Sequence, residues 1–221
     1  MSSLIIEPGA RVLFQGDSIT DAGRNREDPA SMGFGYANFA SAWISAKYPD
    51  HKIEFVNRGI GGNTVIDLET RWEPDCIDIK PDWLSILIGI NDCGREISGV
   101  EGHTLEGYDD AYRRILDRAR AAPASLPSSD AEARPKLIVM EPFLLPCRED
   151  GHLWQDKLLP RIQVARAIAR DYSAIYVPLD GLFAAAATRR EPVFWTLPDG
   201  VHPTQAGHAL IAQAWIRAVG G

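Results

Sequence analysis

The sequence is poor in the features that mark membrane, disulfide-stapled, metal-bound or nucleic-acid-binding proteins. Three cysteines, Cys76, Cys93 and Cys147, are odd in number, far apart and in no metal or redox spacing. That excludes a disulfide framework and leaves reduced thiols as the expectation. No apolar run approaches the ~20 residues that a membrane helix needs. The segment Met1-Ser2-Ser3-Leu4-Ile5-Ile6-Glu7-Pro8 lacks the basic start and long apolar middle of a signal peptide, so a cytoplasmic location is expected. Basic residues are outnumbered, 23 Lys and Arg against 30 Asp and Glu, and the net charge of -7 contains no basic block. A nucleic-acid surface is therefore not expected. Histidines and carboxylates show no paired ligand spacing, and no metal or organic cofactor is expected. The chain also lacks an internal repeat, and no Gly-x-Ser-x-Gly elbow surrounds Ser18.

What is present is an alternation of strand and helix patterns over a length suited to one domain, residues 1–221. Arg11–Gln15, Ile53–Val56, Trp83–Ile88, Leu137–Met140 and Ile175–Val177 read as strands. Helices are expected over Phe34–Tyr48, with Tyr36, Phe39, Ala40 and Trp43 at helical spacing, and from Thr64 towards Lys80, interrupted at Pro74. Further helices are expected over Leu105–Ala121, Trp154–Tyr172 with Pro160 near its start, and Pro203–Val219. The alanine run 184–187 fits a short helix. Near-continuous apolar strands separated by helices predict an α/β fold: a five-stranded parallel sheet, doubly wound, in three α/β/α layers. Two segments read as surface insertions, Ala121–Pro135 as a mobile loop and Gly94–His103 as part of a site's mouth.

Four short motifs stand at the ends of predicted strands. They are Gly16-Asp17-Ser18-Ile19-Thr20, Gly59-Ile60-Gly61-Gly62-Asn63-Thr64, Gly89-Ile90-Asn91-Asp92 and Asp199-Gly200-Val201-His202-Pro203. Doubly wound sheets bind ligands outside the carboxyl ends of their strands, so the four are expected at one rim. A serine hydroxyl is a weak nucleophile until a base takes its proton. Ser18 is the candidate nucleophile, His202 the candidate base and Asp199 the carboxylate that would hold the imidazole. An imidazole ordinarily titrates near ~6.5, which suits proton transfer around neutral pH. The backbone N–H groups of Ser18 and Gly62 and the side-chain amide of Asn91 are candidate oxyanion donors.

At these residues the chain resembles the SGNH hydrolases, also called GDSL esterases. The family's Ser, Gly, Asn and His match Ser18, Gly62, Asn91 and His202, and its acid matches Asp199. Isoleucine at position 19 replaces the leucine of the family name. The resemblance spans positions 16 to 203 in the family's order, and it implies a flavodoxin-like three-layer fold and no cofactor. Gly62-Asn63-Thr64 with Arg71-Trp72, Lys80-Pro81-Asp82-Trp83 and Gly89-Ile90-Asn91-Asp92 is similar to the intracellular bacterial acetylxylan esterases of that family. That similarity implies deacetylation of short xylo-oligosaccharides. A thioesterase or a lysophospholipase would use the same three residues, and a catalytically silent carbohydrate-binding protein would share the fold.

Each motif has a bland reading when taken singly. Gly-Asp-Ser is often a turn, Gly61-Gly62 a flexible turn, Asn91-Asp92 a helix cap, and Asp199 with His202 a capped helix start. Their order along one sheet edge argues otherwise. Asp17 and Asp92 are expected either behind the reacting groups, fixing their loops, or as caps. His51, His103, His152 and His208 are expected to be solvated or structural. Trp154 and Trp195 are the better candidates to contact a sugar, since aromatic faces stack on pyranose rings. Substrates are expected to be small esters or acetylated oligosaccharides. A homo-oligomer is compatible with the sequence, and no membrane or nucleic-acid partner is indicated.

Overall fold

The computed structural model describes residues 4–126 and 134–221. Five parallel strands form one sheet: β1 (Arg11–Gly16), β2 (Glu54–Asn57), β3 (Trp83–Leu87), β4 (Lys136–Met140) and β5 (Ile175–Val177). Their spatial order is β2-β1-β3-β4-β5. This is the flavodoxin-like order, in which the winding reverses between β1 and β3. The crevice at that reversal lies where the chain leaves Gly16 and Leu87, which are paired in register.

Nine α-helices accompany the strands among the described residues, the last three following β5. They are α1 (Ser18–Asp21), α2 (Tyr36–Lys47), α3 (Val65–Thr70), α4 (Ile90–Ile97), α5 (Leu105–Ala121), α6 (Gly151–Asp171), α7 (Leu179–Ala187), α8 (Pro192–Trp195) and α9 (Gln205–Ala218). Successive strand residues point to opposite faces, so each strand feeds two cores. Phe14, Ile138 and Met140 pack with Tyr36, Ala40 and Ile44 of α2 and Ile211 and Trp215 of α9. Leu13, Ile86 and Val139 pack on the other face with Leu68 of α3, Ile115 and Leu116 of α5 and Ala165 and Ile168 of α6. The one polar residue in the β3 run, Ser85, is buried and accepts a hydrogen bond from Trp215 Nε1 at 3.0 Å, which joins α9 to the sheet centre.

Several boundaries differ from expectation, each for a local reason. Trp43 lies on the outer face of α2, 56% exposed, because the buried stripe runs through Tyr36, Ala37, Ala40, Ser41 and Ile44. The segment after Thr64 is two pieces: α3 ends at Thr70, and a separate wide helical turn, Glu73–Ile77, carries Pro74 in its opening turn, where no N–H is needed. The Gly94–His103 segment is helical to Ile97, since α4 buries Ile90 and Cys93 against the core. Pro160 stands inside α6, which begins at Gly151. The last helix begins at Gln205, capped by Thr204, whose hydroxyl accepts from Gly207 N. Of the expected 121–135 loop, Ser125 Oγ and Leu126 N donate to Asp82. Residues 127–133, most of that loop, lie outside the described residues. Among the described residues no helix is long and apolar enough to cross a membrane.

Candidate active site

Ser18 is the first residue of α1, directly after β1. Its position depends on Gly16, where a Cβ would stand 2.3 Å from Leu87 O and 2.4 Å from Thr20 Oγ1. Only a glycine lets the end of β1 run that close to β3. Asp17 caps α1, its Oδ1 accepting from Ile19 N at 2.9 Å. The Ser18 N–H has no hydrogen-bond partner among the described residues.

Ser18 Oγ lies 2.9 Å from His202 Nε2, and His202 Nδ1 lies 2.7 Å from Asp199 Oδ2. Residues 184 positions apart in sequence are thus joined in one relay. The turn carrying Asp199 and His202 is closed by the antiparallel bridge of Thr196 with Pro203 and by Leu197 N donating to His202 O. Leu145 N donates to Gly200 O, tying the turn to the segment after β4. Asp199 Oδ1 accepts from Val201 N and His202 N. Partial burial pulls the Asp199 carboxyl upward, but the His202 ring and those two backbone N–H groups outweigh it and hold the pKa below its ordinary value. The sequence placed His202 at the start of a last helix expected from Pro203; that helix begins at Gln205, and His202 lies in the turn before it.

Gly62 follows β2 with φ +81, a left-handed conformation, and nothing stands within 4 Å of where its Cβ would be. Conformation, not space, is what glycine supplies there. Its N–H has no partner among the described residues. The neighbouring Gly61 approaches Ser18, with 3.8 Å between its would-be Cβ and Ser18 Cβ. Asn91, in the first turn of α4, donates from Nδ2 to Asn63 O at 3.0 Å, which fixes the amide beside the Gly62 loop.

Asp92 serves a neighbouring helix: its carboxylate accepts from Val65 N, the first residue of α3. Asp17 and Asp92 are therefore caps, and by capping they fix the serine and the glycine loop. Both are 1% exposed. Burial pushes the Asp17 carboxyl up to about 7, opposed by the Ile19 N–H and reinforced by the charge of Asp92. Burial likewise pushes Asp92 up to about 7, against the Val65 N–H.

Trp154 touches α4: a Cβ on Gly94 would stand 2.8 Å from its ring, Arg148 lies over that ring at 4.2 Å, and its Nε1 donates to Asp150. Trp195 packs edge-on against Phe194, and its carbonyl accepts from Thr204 N at the entry to α9. Cys93 is buried, donates to Gly89 O, and has its thiol pushed up to about 12 by burial. His208 is structural. Its Nδ1 accepts from Tyr36 N at the start of α2, and burial, with the nearby charge of His202 adding, lowers its pKa to about 4. Among the described residues no three His, Cys, Asp or Glu side chains gather as a metal site would require.

Residues the motifs did not single out complete the setting. Asp21 Oδ2 accepts from Gly61 N and from Arg26, joining α1 to the glycine loop. Arg71 Nε donates to Asn63 Oδ1. The available signal was the Thr64-x-x-Asp67 capping box, which marks a helix start immediately after Asn63.

Residues 14–210 match the GDSL-like lipase/acylhydrolase family. The chain belongs to this family. It is 35% identical, over 97% of its length and 96% of the relative, to an acetylxylan esterase of Geobacillus stearothermophilus. The crystal structure of a Geobacillus stearothermophilus acetylxylan esterase superposes with a TM-score of 0.85 at 32% identity, covering 99% of this chain and 97% of that one. A candidate GDSL-like lipase from Parabacteroides merdae gives a TM-score of 0.87 at 32% identity, covering 99% of both chains. The protein is a carboxylic ester hydrolase.

Proposed function

We propose that the chain acts as one domain, residues 1–221, and removes short acyl groups, acetyl above all, from acetylated xylo-oligosaccharides or related sugar esters. Ser18 Oγ attacks the ester carbonyl while His202 Nε2 takes its proton. Asp199 holds the imidazole by Nδ1 and stabilises the imidazolium that forms. The carbonyl oxygen becomes an oxyanion facing the N–H groups of Ser18 and Gly62 and the amide of Asn91. His202 returns the proton to the departing sugar hydroxyl, leaving an acyl group on Ser18. Water, deprotonated by His202, repeats the sequence and releases acetate and free Ser18.

The observation that carries this reading is the 2.9 Å and 2.7 Å relay through Ser18, His202 and Asp199, with the Ser18 and Gly62 N–H groups left without partners among the described residues. The relative supports it: catalytic mutants of that acetylxylan esterase replace a serine, an aspartate and a histidine by alanine. In that enzyme the aspartate and histidine stand three positions apart, as they do here. The test is acetate release from acetylated xylo-oligosaccharides alongside a chain-length series of p-nitrophenyl esters. Highest kcat/KM on acetyl esters, with acetate released from the sugar, is expected. Preference for long acyl chains, or inertness on acetylated sugars, would overturn the substrate assignment.

A further inference from the structure

We propose that Arg71 is a positioning residue that sets the oxyanion-accepting loop against the nucleophile. The proposal rests on the esterase reading of this site. The Arg71 side chain is only 14% exposed, and its guanidinium donates in three directions. Nε donates to Asn63 Oδ1 at 2.7 Å, Nη1 to Asp75 Oδ2 at 2.8 Å and Nη2 to Gly16 O at 3.3 Å. Gly16 leads directly into Asp17 and Ser18. Asn63 follows Gly62, and its carbonyl receives the Asn91 amide. One side chain therefore bonds to two of the three segments that carry the candidate oxyanion donors, and reaches the third through Asn63.

The anchor is itself tied to the same strand. Gln15 Nε2 of β1 donates to the Asp75 backbone carbonyl at 2.7 Å, so the backbone of the residue whose carboxylate pairs with Arg71 is tied to the strand that presents Ser18. The loop needs such ties, because glycines at 59, 61 and 62 leave it little stiffness of its own. Gly61 N is held by Asp21 from the α1 side, and Arg71 holds the opposite flank of Gly62. A lysine has one ammonium and cannot reproduce a planar fork aimed at three acceptors. Arg71 contacts no reacting atom; its effect runs through where Gly62 and Asn91 stand.

The test measures steady-state hydrolysis of p-nitrophenyl acetate by wild type, Ser18→Ala, Arg71→Met, Arg71→Lys, Asn63→Ala and the Arg71→Met/Asn63→Ala double variant. Two affinities are measured beside it: for xylose, a neutral ligand, and for an arylboronate that forms a tetrahedral anionic adduct with a serine. Arg71→Met is expected to lower kcat ~10- to 100-fold, less than outright loss of a donor, with KM within threefold. Boronate affinity should weaken in proportion, xylose affinity and the acidic limb of the pH profile should not move, and Arg71→Lys should recover part of kcat. The double variant should be no worse than the poorer single one, since both cut the same tie. Ser18-dependent kcat within twofold of wild type in Arg71→Met overturns the proposal, as does lost kcat with unchanged boronate affinity. Should Arg71→Met fail to fold, the Asn63→Ala result decides, and wild-type kcat there overturns it. Wild type that hydrolyses no ester through Ser18 defeats the esterase reading and the positioning role together, an outcome distinct from failure at Arg71 alone.

Discussion

The two sides of Ser18 are built from the same residue type in opposite environments. Asp17 and Asp92, on the side of the glycine loop, are 1% exposed and burial raises both carboxyls to about 7. Asp199, on the histidine side, has a side chain 38% exposed beside a His202 side chain 45% exposed, and its hydrogen bonds hold its carboxyl low. Burial disfavours the charged form of that pair, which reduces the negative charge beside the candidate donors. The half-exposed aspartate stays ionised, where it can support an imidazolium. In the proposed mechanism this difference in environment assigns Asp17 and Asp92 to scaffold and Asp199 to acid–base support, as paired carboxylates with separated pKa values commonly divide such roles.

Substitutions can break this contrast, beginning with the largest effect. Ser18→Ala and His202→Ala should each remove esterase activity ~10^6-fold in kcat, the scale seen when a catalytic serine or histidine is lost. Asp199→Asn should cost ~10^4-fold by favouring the wrong imidazole tautomer, with KM little changed. Asn91→Ala should cost ~10^2- to 10^3-fold in kcat, the loss of one oxyanion donor. Initial-rate kinetics on p-nitrophenyl acetate check all of these. If Asp199→Asn were harmless while Asp17→Asn abolished turnover at unchanged stability, the division of roles would be reversed.

The smallest effects concern stability and carry opposite signs. The raised folded-state pKa of Asp17 contributes stability below pH ~4 that is lost as pH rises through about 7. Asp17→Asn, which stays neutral, should gain on wild type between pH 4 and pH 8, by up to a few kcal/mol. His208 is the reverse case. Its depressed pKa contributes stability above pH 6.5 that is lost as pH falls towards 4, so His208→Gln should gain on wild type, by ~3 kcal/mol at most, on acidification. Urea titrations at pH 4, 6 and 8, read as variant minus wild type, separate the two.

The strands and the rim of the sheet were legible in the sequence, because apolar runs and glycine-ended motifs report burial and strand ends directly. The pairing of Ser18 with His202 was legible too, since a strand-end serine and the only strand-end histidine had one plausible meeting place. What periodicity hid were contacts made by backbone and by glycine. Gly94 read as loop because glycine is a poor helix former; in α4 it leaves room for the Trp154 ring. The hydrogen bond from Asn91 to Asn63 O involves a carbonyl that every residue type carries, so no sequence pattern announces it. Arg71 was visible as part of a family-like dipeptide, but its three-way hydrogen bonding emerges only once β1, the glycine loop and the Glu73–Ile77 turn are folded together.

The central claim is that Ser18, activated across the fold by His202, forms the bond to the acyl group. Covalent labelling with an alkyl fluorophosphonate, followed by peptide mass spectrometry, tests it most directly. The account predicts a single phosphonyl adduct on the peptide containing Ser18, formed rapidly by wild type and at least a thousandfold more slowly by His202→Ala. An adduct on another residue, or continued ester hydrolysis by fully labelled protein, would contradict it.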